Sequence, residues 1–129
     1  MTRAHLKVSS SPQSERPQYT AISAAQGVEQ ALKLIDGRWK LLILFQLFGG
    51  KVLRFSDLER ATPGISQKML AQQLRQLEAD GLVERTVHNQ VPPKVEYRLT
   101  AWGQSLCPAL DALLKWTEGA SARRGPLQV

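Results

Sequence analysis

A mainly helical fold with one small β-hairpin is predicted for this 129-residue chain, and three observations predict it. Apolar residues recur at three- and four-residue steps through most of the chain, the mark of helices with one buried face. Only between Val83 and Leu99 does the period change to two, in two short runs that flank a loop. Just before that change, two helical segments are parted by little more than a Thr62-Pro63-Gly64 turn.

The elements follow in order. Residues 1–23 are rich in Ser, Pro, Gln and Thr without a period and read as a flexible arm. From Ala24 to Asp36, the residues Val28, Ala31, Leu32 and Ile35 form the apolar stripe of a first helix, with Gly37 as its stop. Trp39 to Phe48 is apolar almost all round, which predicts a helix buried on several sides and ended by Gly49-Gly50. Val52 to Phe55 reads as a brief strand, and Ser56-Asp57-Leu58-Glu59 as a capping box opening a short helix. Ser66 is placed to cap the next helix, which runs to Asp80-Gly81 and buries Leu70, Leu74 and Leu77. Two half-buried strands then turn Val83, Arg85 and Val87, and Val95, Tyr97 and Leu99, to one side. Pro92-Pro93 holds the hairpin tip extended and blocks its edge from pairing. Thr100 caps a closing helix from Ala101 to Trp116 or Glu118, kinked at Pro108, and residues 121–129 read as a flexible tail. Residues 24–120 thus make one domain.

Composition narrows the function. With 43% apolar and 22% charged residues, and no apolar run longer than Leu41 to Phe45, the chain reads as a soluble globular domain with no membrane span. Its single cysteine and polar N-terminus fit a reducing, cytoplasmic setting. The net charge of +6 favours a polyanion partner, although residues 26–116 supply only half of it, with twelve Lys or Arg against nine Asp or Glu. An enzyme is not expected, and no catalytic, metal or cofactor residues are assigned. The two histidines, His5 and His88, have no partner at metal or triad spacing.

Helix, tight turn, helix is the helix-turn-helix arrangement, whose second helix enters the major groove, and the hairpin after it is a wing. On the helix that begins after Ser66, Lys68, Gln72 and Arg75 lie about 140–160° from the leucine stripe at 100° per residue. Met69 and Gln76 lie on one flank of that stripe. The outer face offers amides and cations without a carboxylate. Arginine and glutamine suit base edges and lysine suits phosphate, so Ser66, Gln67, Lys68, Met69, Gln72, Arg75 and Gln76 are the candidate reader residues. Arg85, Pro93 and Lys94 are candidate wing contacts, with Lys40 and Arg54 as further DNA-binding candidates. A winged module that binds protein or RNA is the competing reading. The helix from Ala101 carries Leu106, Leu110, Leu113 and Leu114, an apolar face broader than a small domain needs to cover, and so predicts a partner helix from a second subunit. Cys107, inside that apolar helix with Asp111 four residues on, is expected to be inert, and DNA binding insensitive to mild oxidants.

Five blocks in sequence order carry a resemblance to a known family: Leu34 to Leu44, Arg54 to Leu58, Pro63 to Leu70, Leu77 to Val83 and Val91 to Tyr97. Over about residues 26–118 the chain resembles the HxlR-type winged helix-turn-helix regulators, a bacterial family related to the MarR-like regulators. The resemblance implies a homodimer held by the first and last helices, double-stranded DNA read by the helix starting at Ser66, wing contacts around Pro93 and Lys94, and more often repression than activation. It leaves room for a small-molecule effector. Many members carry a Cys-Pro pair just before the first helix, which senses oxidants in some; Gln26-Gly27 stands in that place here.

Overall fold

The computed structural model describes residues 18–124; the expected arm up to residue 17 and the tail from residue 125 lie outside them. The chain divides between Lys33 and Leu34 into two units. The described helix of the first is α1 (Ala21–Leu34), none of whose residues is buried. Thr20 and Ser23 open it reciprocally, each side-chain oxygen accepting the other's backbone N–H at 3.0 Å. The cap pair starts the helix three residues before the expected Ala24 and so shortens the expected arm.

Eight elements make up the second unit: α2 (Arg38–Leu47), β1 (Leu53–Arg54), α3 (Phe55–Ala61), α4 (Gln67–Ala79), β2 (Val83–His88), β3 (Lys94–Leu99), α5 (Ala101–Gln104) and α6 (Cys107–Arg124). Gly37, expected to stop the first helix, instead precedes α2 with a φ of 96°. Helix α2 is less enclosed than its composition predicts. Ile43, Leu44 and Leu47 are fully buried, but Phe45 is 46% exposed and stacks edge-on against Phe48 at 5.4 Å.

The start of α3 also moves, by two residues. Asp57, not Glu59, reaches back, its Oδ2 accepting the Arg54 N–H at 2.9 Å, so Phe55 opens the helix and the strand before it is only two residues long. Helix α4 begins at the expected cap, where Ser66 Oγ accepts the Met69 N–H at 3.0 Å. It closes in a Schellman turn: the Gly81 N–H reaches the Glu78 carbonyl at 3.0 Å and the Leu82 N–H the Leu77 carbonyl at 2.9 Å, with Gly81 at φ 81°.

The sheet has three antiparallel strands in the order β1-β3-β2. Val83 pairs with Leu99, Arg85 with Tyr97 and Val87 with Val95, which sets these residues on the face predicted from the period of two. Burial follows that pattern only at the base. Val83 and Tyr97 are buried, whereas Val87 is 53% exposed as the hairpin leaves the core. Strand β1 adds to the other edge of β3, Leu53 opposite Tyr97 and Arg54 opposite Glu96. The tip is a run of bends with a cis Val91–Pro92 bond, not the expected extended segment.

One core joins these pieces: Ile43, Leu44 and Leu47 of α2, Leu58 of α3, Leu70, Leu74 and Leu77 of α4, with Leu82, Val83 and Tyr97 of the wing base. Each buried leucine contributes about 1.5–3 kcal/mol relative to exposure. The closing helix departs from expectation. Instead of kinking, it breaks at Ser105–Leu106, and a new helix starts at Cys107. A continuous helix would drive the Pro108 ring against the Gln104 carbonyl, whereas in the first turn of α6 its missing N–H is not needed. Helix α6 runs to Arg124, into what was expected to be tail. Cys107 is therefore its first, half-buried residue and not an interior one. The expected oxidant insensitivity loses that support and keeps Asp111 four residues on in the same helix and the absence of a thiol at residues 26 and 27.

Candidate nucleic-acid interface

The turn between α3 and α4 is fixed from beneath. Thr62 is 1% exposed; its hydroxyl donates to the Leu58 carbonyl at 2.7 Å, and its carbonyl accepts the Ile65 N–H at 3.3 Å. Gln46, the polar exception in α2, sends its Nε2–H to the Ala61 carbonyl at 2.7 Å and to Thr62 Oγ1 at 3.3 Å. Gly64 turns the chain at φ 89°, with the Trp39 ring beneath it. Gln46 was not singled out from the sequence, and Thr62 was read only as part of the turn. The one signal was an amide in an otherwise apolar run, which must find partners when it packs.

On this frame α4 buries Leu70, Leu74 and Leu77 and exposes Ser66, Gln67, Lys68, Gln72, Arg75 and Gln76. Six of the seven candidate reader residues thus share the solvent side of one capped helix without an acid in its first turn. Met69 differs. It is half-buried against the core, and its Sδ accepts Gln73 Nε2–H at 3.3 Å. Gln67 Nε2 also reaches Glu59 Oε1 at 3.4 Å.

The remaining candidates fall elsewhere. Lys94 stands at the start of β3 and not at the wing tip; its Nζ lies 3.6 Å from Glu96 Oε2, and its side chain is 27% exposed. Arg54 is exposed and sits across from Glu96 in the sheet. Pro93 is exposed at the tip. Arg85 lies at the hairpin base, where it shares a cleft with Arg75. Lys40 is half-buried in the first turn of α2, after Arg38, whose guanidinium sits 4.1 Å over the Trp39 ring.

Glu96 ties the wing together. His88 Nε2 hydrogen-bonds its Oε1 at 2.7 Å, and this bond, with the Lys94 charge, holds the Glu96 carboxyl below its ordinary range of about 4.5, against a smaller upward push from burial. A carboxyl with a lowered folded-state pKa adds stability above its unfolded value and loses it as pH falls through the folded one. Wild type should therefore lose stability relative to Glu96→Gln as pH drops from about 4.5 through that lowered value, in paired denaturant titrations. Parallel pH curves would disprove the link.

A buried helix pair with a capped second helix, an exposed polar reader face and a β-wing together define a winged helix-turn-helix protein. The HxlR-like helix-turn-helix family matches residues 34–124, and the chain belongs to that family. It is 56% identical over 89 residues to the HTH-type transcriptional regulator YtcD of Bacillus subtilis strain 168, covering 69% of this chain and 70% of that one. An HTH-type transcriptional regulator of Methanothermobacter thermautotrophicus is 52% identical over 89 residues, covering 69% of this chain and 67% of its own length. The crystal structure of a MarR-family regulator from Enterococcus faecalis V583 is similar at a TM-score of 0.78 and 38% identity, over 86% of this chain and all of that one. The chain is accordingly a helix-turn-helix transcriptional regulator, and these relatives are transcriptional regulators. Among the described residues, no helix is long and apolar enough to cross a membrane.

Proposed function

We propose that the chain is a cytoplasmic, double-stranded-DNA-binding transcriptional repressor without catalytic function, working as a homodimer on a pseudo-palindromic operator. The observation that carries this reading is the outer face of α4, where Lys68, Gln72, Arg75 and Gln76 are exposed away from the buried leucines, with Gln67 exposed in its first turn. Gln72 and Arg75 read base edges, Lys68 takes phosphate, and the Ser66-capped N-terminus of α4 adds backbone N–H groups and the positive end of the helix dipole. The wing follows the backbone through Arg54, Arg85 and Pro93, with Lys94 moderated by Glu96. Dimerisation draws support from α6, where Leu113 is 48%, Leu114 49% and Trp116 74% exposed, an apolar surface that a second subunit covers. One reader helix per subunit places half-site centres about 10 bp apart or a small multiple of that.

Selection of bound duplexes from a random pool tests the reading and supplies the operator. With that duplex and a scrambled one, Arg75→Ala and Gln72→Ala should each reduce discrimination by about 1–3 kcal/mol. Lys94→Ala should weaken both duplexes alike, and only slightly given its Glu96 partner. Equal losses on both duplexes for all three variants would show that the reader face lies elsewhere.

A further inference from the structure

Among the described residues, Gln46 is the one side chain of α2 that hydrogen-bonds to the turn between α3 and α4. We propose that it is a positioning residue for DNA reading: its amide fixes the pose of α4, and the chain keeps it for sequence discrimination and not for stability. The proposal rests on the DNA-binding reading above.

One amide reaches both helices of the pair. Gln46 Nε2–H donates to the carbonyl of Ala61, the last residue of α3, at 2.7 Å and to Thr62 Oγ1 at 3.3 Å. Thr62 extends the link: its hydroxyl donates to the Leu58 carbonyl at 2.7 Å, and its carbonyl accepts the N–H of Ile65, one residue before the Ser66 cap of α4, at 3.3 Å. Leu70, Leu74 and Leu77 hold α4 on the core by apolar contact, which has no preferred direction and resists rotation poorly. Hydrogen bonds weaken steeply as their angle opens, so the amide and Thr62 supply the direction.

Stability argues against an amide here. Gln46 Oε1 is buried and accepts no hydrogen bond among the described residues, which costs the fold free energy. A leucine, like the buried Leu44 and Leu47 near it in the sequence, would fill almost the same space without that cost. Ala61 is exposed, so water can take the place of the amide on its carbonyl. The gain lies at the far end of a lever. At 1.5 Å per residue, Gln72 and Arg75 stand roughly 9 and 14 Å along α4 from Ser66, so a tilt of about 10° at the turn moves them by about 1.5 and 2.3 Å. A bidentate contact to a base edge needs placement within roughly 0.5 Å, whereas Lys68, a charge near the cap facing a phosphate, tolerates the shift.

The test measures the affinity of full-length protein for the selected and the scrambled duplex by anisotropy, together with thermal melts. Gln46→Leu should melt no more than about 5 °C below wild type, while its ratio of selected to scrambled affinity falls about 5- to 20-fold, mostly through the selected duplex. Gln46→Glu supplies a readout that a packing role would not move. Ionised, its carboxylate repels the Ala61 carbonyl and should give the leucine result near about pH 7.5. Burial raises its pKa, and once protonated its O–H donates where the Nε2–H did. Its ratio should therefore recover at least about fivefold on acidification to about pH 5, with wild type and Gln46→Leu moving less than about twofold. Acid that alters the wing through His88 or Glu96 acts on all three proteins alike and cancels in the comparison. A ratio in Gln46→Leu that falls less than about fivefold, a leucine melt more than about 5 °C below wild type, or a Gln46→Glu ratio that ignores pH each overturns the proposal. If wild type selects no duplex at all, the DNA-binding reading falls first, and the proposal with it.

Discussion

Raising salt from 50 to 200 mM should weaken binding of this chain to its selected duplex by about 10³- to 10⁵-fold. The expectation follows from the number of cations that face DNA in the proposed dimer. Each subunit offers Lys68, Arg75, Arg85 and Arg54 as exposed cations, plus the α4 N-terminus, while Lys94 is held by Glu96 and Lys40 is half-buried. Two subunits then reach about 6–10 phosphates, and a slope of log affinity against log salt near −5 to −9 results. Each released counterion contributes independently of sequence, so scrambled duplex should show a similar slope at lower affinity. Anisotropy titrations across the salt range measure it. A slope shallower than about −2, or a monomer by light scattering at micromolar concentration, contradicts the dimer on DNA.

How far the sequence could be read depended on whether a feature was set by one residue or by a meeting of several. The leucines at 70, 74 and 77 are buried as their spacing requires, because a 13-residue helix with one apolar stripe has one way to face a core. Ser66 and Gly81 bound that helix where their chemistry places them. The start of α3 was misplaced by two residues because Asp57 and Glu59 can both reach back to an N-cap, and which one does depends on where β1 stops pairing with β3. Pro108 was read as a kink because a sequence does not say whether the turn before a proline bends or ends; here Ser105 Oγ donates to the Trp102 carbonyl at 2.6 Å and the chain breaks.

The candidate site shows the same division. The outer face of α4 is periodic and was legible. Met69 lies on its flank and turned inward, since a long apolar side chain beside a core finds more contact there than in water. Lys94 was read as a wing contact beside Pro93, but its side chain follows the nearest carboxylate. Glu96 is two residues on along the same strand and so on the same face, and it is fixed there by His88 from the neighbouring strand through a register that no local motif specifies. The Arg75–Arg85 cleft was not legible either, because its two arginines come from different elements that only the packed fold brings together.

Gly103→Ala should destabilise the domain by about 2–4 kcal/mol, although it replaces a poor helix former with the best one. Gly103 is buried in the single turn of α5, and a Cβ there would collide with the Leu82 carbonyl oxygen. That oxygen cannot yield cheaply, because it is backbone and already accepts the Thr100 N–H at 3.0 Å. Thr100 holds the same junction from its other side, its hydroxyl donating to the Gly81 carbonyl at 2.6 Å and accepting the Gly103 N–H at 3.0 Å. Adding a methyl therefore pushes α5 away from the start of β2 and strains the turn that ends the reader helix. The helix-propensity gain of about 1 kcal/mol offsets only part of this cost. Gly119→Ala in α6 isolates that gain, since its Cβ would meet nothing within 4 Å; it should raise stability by about 0.5–1 kcal/mol. Thermal melts of both variants give the comparison, with Gly103→Ala expected roughly 8–16 °C below wild type. A Gly103→Ala melt within about 2 °C of wild type would mean that α5 and Leu82 do not approach this closely.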